Sequence, residues 1–367
     1  MRILIILTAT TVWLLAGAAR AQPAAGIFEA HSDVGTVLHP GTTAYDPTGG
    51  AYTISGSGEN MWFASDAFQF AWKKMSGDVT LTADIAFIGA GGEAHRKAVL
   101  MIRQSLDADS AYADVARHGD GLTSLQARDE KGADTAEIQS AMKAPARVRI
   151  ARRGDYFYFW VAAEGEPLRF AGGSMRVPMH DPFYVGLGVC SHNKDSVERA
   201  VFNNVELSAA PPKSRPELYS TLEVVPLSGD RRVVYVTRGR IENPEWSEDG
   251  AALIFYRGAR RERVPLVGGT PEAVPDSVPA RTLELNVEAA NSARPRRFGE
   301  RRSPDGRQTA FLTSGGDYVD TMLQVEPAAE KQAKTLAKLV GGRGTISFPW
   351  SPDSRRLVFI SYQHVSE

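Results

Sequence analysis

FPWSPDSRRLVFISY, residues 348–362, joins an aromatic pair, a tight turn and a short apolar strand, and the same order occurs twice upstream, in PEWSEDGAALIFY from Pro244 and RRSPDGRQTAFLT from Arg301. Each copy has serine at the first turn position and aspartate at the third: Ser247 and Asp249, Ser303 and Asp305, Ser351 and Asp353. Proline lies between them in the last two copies, and glycine follows in the first two. That order suits a type I turn, in which proline presets φ and glycine relieves the exit. Trp246 and Trp350 precede the turns of the first and third copies, whereas Arg302 stands in the second. From Asp249 to Asp305 is 56 residues and from Asp305 to Asp353 is 48, just above the ~40 to 45 of one propeller blade. The region therefore reads as blades with insertions. With the strand pair 222–225 and 232–237 it comes to about three and a half blades, fewer than the four to eight that close a ring. A partial propeller is expected to leave unpaired strand edges that invite dimerisation or aggregation.

Working outward, residues 209–216, AAPPKSRP, form a proline-rich break, stiff and extended by composition. A linker is expected over 210–218, with the repeats at 219–367 and another unit at 22–209. In that first unit Val79, Leu81, Ala83, Ile85 and Phe87 alternate with Thr80, Thr82, Asp84 and Ala86, the period of a half-buried strand. Residues 147–152 and 156–161, joined by Arg153-Gly154-Asp155, read as a hairpin. Further strands are expected at 98–103, 111–117, 122–128, 183–190 and 200–207. Many short strands with glycine-rich turns predict an all-β sandwich or jelly roll. Residues 1–21 read as a cleaved signal peptide: Arg2, an apolar run over 3–18, and the small-residue exit Ala19-Arg20-Ala21. No later stretch has ~18 consecutive apolar residues, so the mature chain is expected to be exported, periplasmic or secreted, without a membrane span. Cys190 is the single cysteine, so no intramolecular disulfide can form. Without Arg2 and Arg20 the 42 basic residues become 40 against 43 acidic, a balance with no global pull towards nucleic acid.

The segments NMWFASDAFQFAWKKMSGDVTLTADIAF, RHGDGLTSLQAR and FYVGLGVCSHNKDSVERAVFNNVEL resemble the concanavalin A-like jelly roll of exported bacterial proteins, over about half the chain. The turn repeats resemble the six-bladed propeller units of TolB-type periplasmic proteins, here truncated, and Val267-Gly268-Gly269-Thr270-Pro271 resembles their turn between late strands. The fold expected is an all-β chain: a jelly-roll sandwich followed by an incomplete propeller-like domain.

The jelly-roll resemblance implies either a lectin or a glycanase. Retaining glycanases need two carboxylates about 5 to 5.5 Å apart, which their relatives of this fold carry as Glu-x-Asp-x-x-Glu on one strand. The corresponding face here offers only Asp84. No H-E-x-x-H, G-x-S-x-G or phosphate loop occurs, Gly186-x-Gly188 lacks the third glycine of a dinucleotide site, and Asp107 and Asp109 open no EF-hand because His118 stands where its glutamate belongs. No cofactor and no metal is expected. A zinc site would have to assemble from distant histidines. A binding face is easier to place: Ser124, Gln126 and Arg128 share one parity, with Tyr112, Asp114 and His118 nearby. Trp62, Trp72 and Tyr112 could stack on sugar rings while Arg103 and Gln126 bond hydroxyls. Against that stand a core position for Trp72, in the row Phe68, Phe70, Trp72, and an ordinary solvated face for Gln126 and Arg128. His192 and Asn193 read as strand-terminating residues. Six arginines at 294, 296, 297, 301, 302 and 307 read as a solvated loop, or as a patch for an acidic partner.

The reading is therefore a non-catalytic binding and scaffold protein of the cell envelope, whose jelly roll meets carbohydrate or envelope polymer and whose repeats meet protein. The alternatives are a glycan hydrolase drawing on Asp84, Asp114 and His118, and a purely structural TolB-like protein.

Overall fold

The alternating sequences pair into two packed sheets. A computed structural model describes residues 22–23, 26–89, 92–210, 212, 214–275, 297–314, 320–330, 332–340 and 347–366, and every regular element among them is a strand. The expected leader lies outside these residues, as do Arg294 and Arg296. The back sheet runs in the order Arg169–Phe170, Tyr156–Ala162, Arg147–Arg153, Val79–Phe87, Glu198–Ser208, Ala51–Gly56 and Thr42–Asp46. The front sheet runs from Gln22–Pro23 through Ala30–Val34, Phe68–Met75, Phe183–Cys190, Lys97–Arg103, Tyr112–His118 and Thr123–Arg128 to Ala136–Gln139. Leu81, Ala83 and Ile85 of the back sheet and Ala98, Leu100 and Ile102 of the front sheet meet in one buried core. Fully burying such an aliphatic side chain stabilises by ~1.5–3 kcal/mol, so this layer holds the sandwich closed without a disulfide.

Among the described residues the repeats form three sheets. The first blade comprises Glu242–Trp246, Ala252–Arg257, Arg260–Pro265 and Glu272–Ala273, with the expected glycine turn between its last two strands. The second comprises Arg297–Arg302, Gln308–Ser314, Asp320–Pro327 and Lys334–Val340. The third turn and the separate strand pair belong to one sheet instead of two partial ones: Arg356–Val365 pairs antiparallel with Glu217–Pro226, which pairs with Arg231–Arg238. The count among the described residues is thus three, and this central sheet is the middle layer. Leu357 and Phe359 pack with Leu312, Leu323 and Val325 of the second blade, while Val358 and Ile360 pack with Leu253, Phe255 and Val264 of the first. A strand buried on both faces reads as a continuous apolar run, and Leu357-Val358-Phe359-Ile360 is one.

All three turns share one geometry. The Ser247, Ser303 and Ser351 hydroxyls bond the Asp249, Asp305 and Asp353 carboxylates and accept the amides of Ala252, Gln308 and Arg356. The fourth turn residue has positive φ in each copy, 66° at Gly250, 71° at Gly306 and 61° at Ser354. The tryptophans link the layers. Trp246 Nε1 donates to the Pro349 carbonyl at 3.1 Å, and Trp350 Nε1 donates to the Arg301 carbonyl at 2.9 Å. Arg302, at the equivalent place, donates back into its own turn at the Gly306 carbonyl. The relay of tryptophan links therefore stops at the second blade.

One expected open edge is covered. Arg231–Arg238 continues the front sheet through a short parallel ladder, Ile138 beside Arg231 and Gln139 beside Arg232. Below it Glu223, fully buried, pairs with Arg231 at 2.8 Å and accepts from the Ser361 hydroxyl. Arg231 also donates to the Lys338 carbonyl of the second blade at 3.1 Å, so one buried ion pair ties two layers together. Of the arginine-rich loop, Arg297 is engaged by Glu300 and Glu326.

Candidate functional site

Strand register lays out the outer face of the front sheet in rows. Cys190, Lys97 and His118 stand abreast, then Val99, Ala116 and Ser124, then Met101, Asp114, Gln126 and Glu137, then Arg103, Tyr112 and Arg128. This face is not solvated. Residues 57–67, including a hairpin of Met61–Trp62 and Ser65–Asp66, strap across it, and Arg103, Tyr112, Asp114, Ser124, Gln126 and Arg128 are fully buried. The solvated-face expectation for Gln126 and Arg128 fails because residues distant in sequence cover them.

The two arginines hold the strap. Arg128 makes paired bonds to Asp66 at 2.8 and 2.9 Å and donates to the Phe63 carbonyl at 2.8 Å. Arg103 donates to Asp66 and to the Ser105 and Asp107 carbonyls. The donors expected to meet sugar hydroxyls are spent inside the protein. Tyr112 lies under the Arg128 guanidinium and bonds Thr135, so its ring offers no sugar platform. Trp72 packs edge-on against Tyr184 in the apolar cluster with Phe68 and Phe70, as the core reading expected, although this cluster lies on the outer face of the sheet. Trp62 is half-buried with Lys97 Nζ 5.1 Å from its ring, and Phe63 at the strap tip is 66% exposed. Asp107 and Asp109 pair with Lys131. Asp84 pairs with Arg147 on the back sheet, so it cannot join Asp114 and His118 in one catalytic centre.

The other end of the face holds polar atoms without partners. Both Asp114 carboxyl oxygens, Gln126 Oε1, Gln69 Oε1 and the Nδ1 atoms of His118 and His192 are buried and unbonded. Gln126 Nε2 reaches Ser124 Oγ at 3.2 Å, His118 Nε2 at 3.3 Å and Glu137 Oε2 at 3.4 Å. Lys97 donates to Asn60 Oδ1 at 2.9 Å and to the Met61 carbonyl at 2.7 Å. Burial pushes the Asp114 carboxyl well above the usual carboxylate range, against the attraction of Lys97. Burial, then Lys97 and the neighbouring histidines, holds His118 well below its ordinary value. Burial lowers Lys97 and raises Cys190.

Lys97, Glu137, Asp66 and His95 escaped the sequence reading, which gave His192 only a strand-terminating role. The parity Lys97, Val99, Met101, Arg103 would have flagged the first, since one strand face carrying lysine and arginine among apolar residues needs buried partners. His95, His118 and His192 come together from three places in the chain, with ring centroids 5.8 Å apart for His95 and His118 and 5.5 Å for His95 and His192. Among the described residues no three His, Cys, Asp or Glu side chains are arranged to hold a metal ion. The repeat residues Trp246, Asp249, Asp305, Trp350 and Asp353 are occupied by the turn and layer contacts above. A separate cavity of about 170 Å³ lies between the sandwich and the second blade, lined by Asp129, Met175, Arg231, Leu336 and Lys338 among others.

No family model matches the sequence, and no curated protein matches it. Solved structures with a similar fold include a functionally unknown protein from Saccharomyces cerevisiae, 16% identical, covering 47% of this chain and 97% of that one with a TM-score of 0.37. The alginate lyase AlgAT5 from polysaccharide lyase family 7 is 10% identical, over 45% and 81% of the two chains, with a TM-score of 0.29. A putative TolB from Agrobacterium tumefaciens is 15% identical, over 74% and 99%, with a TM-score of 0.18. Likeness at this level carries no argument.

Proposed function

We propose that this chain is a non-catalytic binding and scaffold protein of the cell envelope, exported, whose front-sheet face takes carbohydrate or another envelope polymer and whose stacked blades contact protein. The observation that carries the reading is the set of unpaired buried atoms on Asp114, Gln126 and His118. Each such group costs ~1–3 kcal/mol if left unmade, and native proteins keep few of them. Ligand hydroxyls, which donate and accept, would satisfy a neutral acid and an amide together, with Trp62 and Phe63 at the strap as apolar contacts.

One observation favours hydrolysis as a second reading. Asp114 and Glu137 flank Gln126 two strands apart, about 9 to 10 Å at the backbone, near the ~6.5–9.5 Å that separates the carboxyl groups of inverting glycosidases. Asp114 would be the acid and Glu137 the base. A glycan array probed with the full chain, beside assays of reducing-end release, tests both. Saturable binding weakened at least tenfold by Asp114→Asn and Trp62→Ala, with no sugar released, supports the binding reading. Release abolished by Asp114→Asn and by Glu137→Gln supports the second. Neither binding nor release refutes both.

A further inference from the structure

We propose that the histidine end of the front face is an anion site, taking a carboxylate or sulfate group of an acidic glycan among His95, His118, His192 and Lys97. The choice of glycan rests on the proposed function. The choice of an anion rests on the residues themselves.

The Gln126 amide nitrogen lies within reach of Ser124 Oγ, His118 Nε2 and Glu137 Oε2, three partners for its two N–H donors. In the tautomer whose Nε2 accepts from this amide, the His118 ring proton sits on Nδ1. His118 is 4% exposed, and its Nδ1 has no partner, which makes it a buried donor with no acceptor. His192 adds a second unpartnered Nδ1 on a backbone at φ 59°, a conformation costly for any residue but glycine and frequent at functional sites. A protonated imidazole donates at both nitrogens, so a proton taken up here leaves an Nδ1 donor that calls for an acceptor.

Charge decides between ions. A divalent cation would sit against the Lys97 ammonium, and no three-ligand set exists for it among the described residues. An oxyanion is attracted by Lys97 and accepts from the imidazoles. Of the nearby acids, burial disfavours charge on Asp114, Glu137 is engaged by Gln126 and Gln139, and Cys190 is held protonated by burial. Glu59 and Glu93 act on His192 and oppose an anion, with Glu93 held by the Asn193 amide at 3.2 Å. Access needs no movement of the strap, because His95 is exposed and His192 half-buried. Burial first, then Lys97 and His95, lowers both His118 and His192. A bound anion offsets the Lys97 repulsion on His192, so binding draws a proton there and strengthens on acidification by about tenfold per pH unit for each coupled proton.

Calorimetric titration of the full chain with sulfate, galacturonate and neutral galactose, at about pH 5.5 and 7.5 and constant ionic strength, tests this where histidine titrates. At least one anion should bind, at least tenfold tighter at the lower pH and with proton uptake. A His95→Ala, His192→Gly variant, in which glycine tolerates the positive φ at residue 192, should lose that affinity at least tenfold while its Tm without anion does not fall. Sulfate alone assigns a sulfate ester and galacturonate alone a uronate. Galactose binding without anion binding overturns this inference and leaves the proposed function standing. Anion binding without any glycan on the array supports this inference while the proposed function fails. Affinity that is absent, independent of pH, or unchanged in the variant overturns it.

Discussion

Asp114→Asn keeps the shape of a buried side chain and removes a proton equilibrium that burial has displaced. The wild-type carboxyl is pushed well above 3.8 in the folded chain and returns to that value on unfolding. A raised folded value means the folded state holds the proton more tightly. The contribution of Asp114 is therefore fully present below about pH 4 and is lost as pH rises towards the folded value, at about 1.4 kcal/mol per pH unit. Asparagine has no such term. The unfolding free energy of the variant minus that of the wild type should climb by the same ~1.4 kcal/mol per unit above pH ~4 and level off where the folded acid ionises. His118, lowered in the folded chain, works in the opposite sense: its contribution is present above about pH 6.5 and lost on acidification. It acts in both proteins and cancels in the difference. The two slopes oppose one another in the wild type, which should therefore vary less with pH than the variant, and the variant should lose stability as the pH falls below about 6.5. Urea unfolding followed by circular dichroism across this range gives the difference curve. Parallel pH profiles for the two proteins, or a variant less stable than wild type at neutral pH, would refute the account of Asp114 as a buried neutral acid.

Arg231→Met strands Glu223, fully buried, and should cost ~3–5 kcal/mol. The pair Arg231→Met, Glu223→Leu should recover most of that loss in denaturant titration, and a double variant as weak as the single would show that charge is not the cause. Gly186→Ala places a methyl 1.9 Å from the Ala71 carbonyl oxygen, a clash with backbone that neither strand can relieve. It should cost more than the ~1–3 kcal/mol of ordinary overpacking and remove soluble expression, so normal yield and melting would contradict the strand packing described. Trp350→Phe keeps an aromatic ring but deletes the donor to the Arg301 carbonyl, for ~1 kcal/mol. Hydrogen exchange should accelerate in the second blade and not in the first, and uniform acceleration would argue against a layer-specific link.

Local chemistry was legible in the residues. The serine and aspartate of each repeat turn act within five positions of each other, so spacing alone revealed the turn, and period-2 alternation located strands such as Val79–Phe87 and Phe183–Cys190 to the residue. Parity also showed that Ser124, Gln126 and Arg128 share a face with one another, because strand geometry repeats every two residues. It could not show what covers that face. Arg128 meets Phe63 across 65 residues of chain, and Trp246 meets Pro349 across 103. The same holds for Gly186-x-Gly188, which matches no cofactor motif and whose reason, the approach of the Ala71 backbone, exists only once two strands pair. Arg302 looked like a lapse in the repeat, and the stacking of blades makes it the point where the tryptophan relay ends. The turn and the strand are set by forces acting within a few residues. Whether a polar row is wet or buried, paired or left open to a ligand, depends on which distant segment lies across it, and only tertiary packing decides that.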